Sequence, residues 1–129
     1  MKQNENELLI SISKYIRELG IPVHFKGYQY LRTAIMLGIT DRASLNSFTK
    51  GIYPMVAKYH DTTPVRVERA IRGSIEYAWK HNQDKINALR GYTSATKPTN
   101  SEFISIVVEN MTFMQIEENV KGKFKCIVS

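Results

Sequence analysis

Arg66, Glu68, Arg69 and Arg72 crowd the first half of the stretch "DTTPVRVERAIRGSIEYAWK" at residues 61–80. Arginine presents a fork of donors that matches O6 and N7 of guanine, glutamate accepts from N4 of cytosine, and further arginines hold phosphates. A glutamate set among arginines weakens attraction to phosphate, so its presence points to base reading more than to plain electrostatics. The same residues also suit a solvated surface. Glu68 and Arg72 are four apart in the favourable order, an intrahelical pair worth only about 0.2–0.5 kcal/mol. From pattern alone the face fits DNA reading, a solvated exterior or protein docking.

Other chemistry finds little footing. His24, His60 and His81 have no HxxxH or HExxH spacing, which would set two imidazoles on one side of a helix toward a metal, so no metal site is expected. The chain has no GxGxxG or GxxxxGK[ST] loop to cradle phosphate and no GxSxG nucleophile elbow. The lone Cys126 excludes an internal disulfide and reads as a spare thiol in a tail. The expectation is a non-enzyme without cofactors. Tyr28, Tyr30, Phe25 and Tyr92 offer base-stacking surface in principle, but their helical or pre-helical positions favour core packing.

The elements that must position the arginines are helical. Leu8, Leu9, Ile12, Tyr15, Ile16 and Leu19 recur three and four apart and stop at Gly20 and Pro22, and Tyr30, Leu31, Ala34, Ile35 and Ile39 form a second stripe ending near Gly38. Thr40 or Asp41 caps a short third helix. Pro54 starts a fresh short helix, "PMVAKYH", or the half after a kink. After the polar "DTT", Thr63 as cap and Pro64 at the first helical position begin the charged helix. At 100° per residue Val67, Ala70, Ile71, Ser74, Ile75 and Ala78 fall on one side, with Trp79 at the border as an anchor. "HNQDKINALRGY" reads as a further short helix with Ile86 and Leu89 inward and Gly91 as its stop, and "TSATKP" as a loop. Thr99 and Glu102 have capping-box spacing ahead of Phe103, Ile104, Ile106, Val107, Val108 and Met111, which favours helix over strand for "FISIVV". A short helix, a tight polar turn and a longer helix thus stand in sequence, and in a helix-turn-helix the N-terminal half of the second helix lies against base edges in the major groove.

The 129 residues suit one domain, and 18 Lys and Arg against 12 Asp and Glu give a net charge of +6, a mild bias toward polyanionic partners. Polar residues before a broken apolar stretch at the N-terminus do not resemble a signal peptide, and no run reaches the roughly 18 apolar residues of a membrane span. The reading is a soluble, cytoplasmic protein.

Three stretches, "GIPVHFKGYQYLRTAI", "FTKGIYPMVAKYHDTTPVRVERAIRGSIEYAW" and "GYTSATKPTNSEFI", resemble in order the C-terminal effector domain of the stage-zero sporulation protein A family, over roughly residues 8–112. The resemblance implies an all-α fold, a compact bundle of about six helices with a helix-turn-helix at about 54–80, followed by a tail at 113–129. It implies recognition of a promoter box with a TGTCGAA-like core in double-stranded DNA. The matching "RVER" makes Arg66, Glu68 and Arg69 major-groove readers, and Arg72 a base-edge or phosphate contact. Head-to-tail homodimers on paired boxes and contact with the RNA polymerase sigma factor are implied without assignable residues. The family's receiver domain is absent from this chain, which places phosphorylation control in doubt, and the initial Met leans to a free-standing gene. Pro64 and Gly73 depart from the expected pattern: Gly73 lowers helix propensity by roughly 1 kcal/mol relative to Ala, unless it permits close backbone approach. The expectation is a sequence-specific transcriptional regulator, with Thr62, Thr63 and Lys97 touching phosphate. The rival expectation is a receiver-less interaction protein that competes with, or docks onto, a full-length regulator or sigma factor.

Overall fold

The computed structural model describes residues 5–113, and within them every regular element is helical. The elements are α1 (Glu5–Glu18), α2 (Lys26–Thr40), a 3-10 turn (Arg42–Asn46), a π-helical turn (Phe48–Ile52), α3 (Tyr53–Tyr59), α4 (Pro64–Arg90) and α5 (100–113). The two apolar stripes expected of the first helices are the ones that pack. Leu8, Ile12, Ile16 and Leu19 are buried with Tyr30, Leu31, Ala34 and Ile35, while Phe103, Ile104, Val107, Val108 and Met111 enter the same core from α5. "FISIVV" is therefore helix, and the tail, including Cys126, lies outside the described residues.

Three boundaries differ from expectation. The third helix is a 3-10 turn capped by Asp41, whose side chain accepts from the Ala43 amide at 3.2 Å, and α2 runs past Gly38 to Thr40. The π-helical turn leads without a gap into α3, where Pro54 sits in the first turn. "HNQDKINALRGY" does not form a separate helix: α4 continues through it across a break at Asn82 (φ −143°, ψ 43°) and ends on left-handed Gly91. The described residues form five α-helices and two tight helical turns, against an expected bundle of about six helices.

α4 is held from several sides. Gly27 lies so close to it that a Cβ there would stand 2.3 Å from the Ala70 carbonyl oxygen and 1.9 Å from Ser74 Oγ, so the start of α2 meets the backbone of α4 directly. At the other end Gly20, with φ +98°, leaves the room that the Asn82 side chain occupies, 2.0 Å from where a Cβ would be. Beneath lie Val67, Ile71, Ile75, Ala78, Trp79 and Ile86, all buried.

Candidate nucleic-acid interface

The chain enters α4 through a tight turn. The Thr62 amide donates to the Ala57 carbonyl at 2.9 Å, Asp61 takes a left-handed φ of 53°, and Thr63 caps the helix by accepting from the Arg66 amide at 3.3 Å. This satisfies one of the orphan donors of the first turn, while the Thr63 hydroxyl keeps its own proton to donate. Just upstream, His60 Nε2 stands 2.7 Å from Thr33 Oγ1 and edge-on to the rings of Tyr30 and Tyr59. Burial, reinforced by the charge of Arg32, pushes the His60 imidazole below its ordinary range.

On α4 the structure divides the predicted charged residues into two groups. Arg66 and Arg69 are exposed, and among the described residues neither guanidinium has a hydrogen-bond or ion-pair partner. Glu68 lies instead on the flank, half-buried, and receives the Arg72 guanidinium in an ion pair. That bond holds the Arg72 guanidinium above its ordinary range. Lys97, brought from 21 residues away by the 91–99 loop, bonds Glu76 on the same helix, and its ammonium holds the Glu76 carboxyl below its ordinary range. Both acidic groups of this region are thus neutralised locally. Arg66, Arg69 and Lys80 remain as uncompensated cations among the described residues, and the exposed face keeps a positive bias despite its glutamates.

Several residues that fix this geometry gave little warning in the sequence. Asn100, buried at the start of α5, donates to the Tyr53 hydroxyl at 3.3 Å and to the Glu68 carbonyl at 3.1 Å, tying α3, α4 and α5 together behind the charged face. Burial raises the Tyr53 phenol accordingly. At the far end Arg90 bonds Glu102 at 3.1 Å and the Thr96 carbonyl at 2.8 Å, and lies over the Trp79 and Tyr92 rings. The Thr99–Glu102 cap forms as expected, with the Glu102 amide donating to Thr99 Oγ1 at 3.1 Å. The Glu102 carboxylate also accepts from the Tyr92 hydroxyl at 2.6 Å, the main cause of its lowered pKa. Tyr77, 43% exposed between Phe25 and His81, joins the outward row of α4, and its spacing of eight from Arg69 is the sequence signal for it.

Tyr28 and Tyr30 are core residues, and no group of three His, Cys, Asp or Glu side chains able to hold a metal occurs among the described residues. No helix of the described residues is long and apolar enough to cross a membrane.

The protein-family model described as "Sporulation initiation factor Spo0A C terminal" matches residues 12–111. The chain belongs to this family. The match takes in α2, both tight turns, α3 and α4 whole, together with the second half of α1 and all but the end of α5. The Spo0A C-terminal family is that of the DNA-binding effector domain of a sporulation regulator, so the chain is a DNA-binding domain of a transcription-regulating kind.

Proposed function

We propose that this protein is a sequence-specific regulator that reads a TGTCGAA-like box in double-stranded DNA through α4, with α3, the turn at 60–63 and α4 acting as a helix-turn-helix. The observation that carries the reading is the pair of exposed guanidiniums, Arg66 and Arg69, unpartnered among the described residues, on the N-terminal half of a helix that is capped by Thr63 and backed by Asn100. Arginines without partners among the described residues break no bond there when they turn toward guanine O6 and N7, and bidentate pairing of this kind is the commonest specific base contact. Arg66 and Glu68 read bases in this proposal, and Arg69 and Arg72 read or clamp. Glu68 and Arg72 have side chains 33% and 50% exposed, so the carboxylate can turn from its partner to cytosine N4 while Arg72 swings to a phosphate. Thr62 and Thr63 at the helix start, and Lys97 beside Glu76 further along α4, serve as phosphate contacts. Head-to-tail pairing on adjacent boxes and contact with sigma factor belong to the same proposal, with no residues assigned.

The test is selection of binding sites from a random duplex library, followed by affinity measurements over a range of salt. The expected outcome is one enriched box, with a preference over scrambled duplex that persists as salt rises, because base contacts lose less to counterion release than phosphate contacts do. Changing the cytosine assigned to Glu68 should weaken the wild type and leave Glu68→Ala unaffected. Equal affinity for selected and scrambled duplexes overturns the reading. Co-purification with a full-length regulator, without affinity for any duplex, would favour the interaction-protein alternative.

A further inference from the structure

We propose that Gly73 is a specificity-determining position: a notch of bare helix backbone in the outward row of α4 that admits the methyl group of a thymine. The inference rests on the DNA-reading proposal above. Arg66, Arg69, Gly73, Tyr77 and Lys80 follow one another at spacings of three and four, so they form one row along the helix, and all are exposed.

The two other α-helical glycines have evident internal reasons. A Cβ on Gly27 would collide with the backbone of α4, and one on Gly38 would come within 2.8 Å of Val108 and 2.9 Å of Leu45. A Cβ on Gly73 would meet nothing within 4 Å among the described residues. Glycine disfavours a helix interior relative to alanine, so this position weakens α4 with no compensating contact among the described residues. The compensation is then sought outside them. Arg69 and Tyr77 border the gap, about 12 Å apart along the axis at 1.5 Å per residue. Tyr77 is drawn against Phe25, with ring centroids 5.2 Å apart, and against His81 at 4.5 Å, contacts that hold its ring beside the row. The floor of the notch is mid-helix backbone, whose N–H and C=O groups are already paired within the helix. It therefore offers contact and no hydrogen bond. An apolar group that requires close approach is what such a surface accepts, and in the major groove the thymine methyl is the apolar landmark.

The experiment compares wild type, Gly73→Ala and Gly73→Leu on the duplex selected by the wild type and on a random duplex, with melting temperature measured for each protein. Gly73→Ala is expected to raise the melting temperature while lowering affinity for the selected duplex at least tenfold. Gly73→Leu should lower it further, and binding to random duplex should be unchanged for both. Opposite movements of stability and affinity cannot come from misfolding. Replacing each thymine of the selected box in turn by deoxyuridine tests the methyl: weaker wild-type binding at one position, to which Gly73→Ala is indifferent, supports the inference, and no effect at any position overturns it. Gly73→Ala binding the selected duplex as tightly as wild type overturns the inference while leaving the DNA-reading proposal intact. A wild type that selects no duplex removes both.

Discussion

The two ends of α4 use the same side chain in opposite ways. At the C-terminal end Arg90 has a side chain only 4% exposed, and its guanidinium meets Glu102, Asn87, the Thr96 carbonyl and two aromatic rings. At the N-terminal end Arg66 and Arg69 face solvent with no partner among the described residues. A guanidinium engaged by its own chain through both Nη groups fastens the 91–99 loop and the start of α5, whereas an unengaged one is available to a ligand. The contrast teaches that arginine content alone does not locate a binding face. What matters is which arginines the fold has already satisfied.

That contrast can be broken most forcefully at Arg90. Arg90→Ala leaves Glu102 without its cation and unpins the loop, and should cost about 2–3 kcal/mol of stability in urea unfolding, somewhat below a fully buried pair because Glu102 is partly exposed. Affinity for the selected duplex, measured where the variant is folded, should stay near that of wild type. Arg66→Ala should do the reverse, losing about 1–3 kcal/mol of binding and relaxing one base pair of specificity, with stability within about 0.5 kcal/mol of wild type. A large stability loss at Arg66, or a large specificity loss at Arg90, would dissolve the distinction between the two ends. The smallest effect concerns His60, in the turn between α3 and α4. Its imidazole pKa is lowered in the fold from the ordinary 6.5, so the folded state favours the neutral ring. The corresponding stability is full above about pH 6.5 and is lost as pH falls from there through the lower folded value. Unfolding midpoints from pH 7.5 down to 5 should show this step in the wild type and lack it in His60→Gln.

Much of the framework was legible because periodicity and caps are local properties. The stripes of α1, α2 and α5, the Thr63 cap and the Thr99–Glu102 box each depend on residues three or four apart, and each formed. Where the outcome depended on distant neighbours, the sequence was mute. Asn82 carries nothing that distinguishes a break within one helix from the gap between two. The π-helical turn at Phe48–Ile52 has no composition of its own. The candidate site was legible in its residue types, since Arg66, Arg69 and Arg72 lie where helical arithmetic places them. The pairing of Lys97 with Glu76 was not, because a loop had to fold back 21 residues to make it. Nor did arithmetic disclose that Glu68 sits on a flank, half-covered, with its carbonyl bonded by Asn100.

The meeting of Gly20 and Asn82 reaches beyond this one chain. A side chain at position 20 would need an unfavourable backbone conformation and would also occupy the space of the Asn82 amide, so neither position can enlarge while the other stays as it is. In evolutionary terms the two sites form a single character, although 62 residues separate them. Relatives that gain bulk at one are expected to have shrunk or re-routed the other, leaving a covarying pair that records how the end of α1 is fitted against the bend in α4.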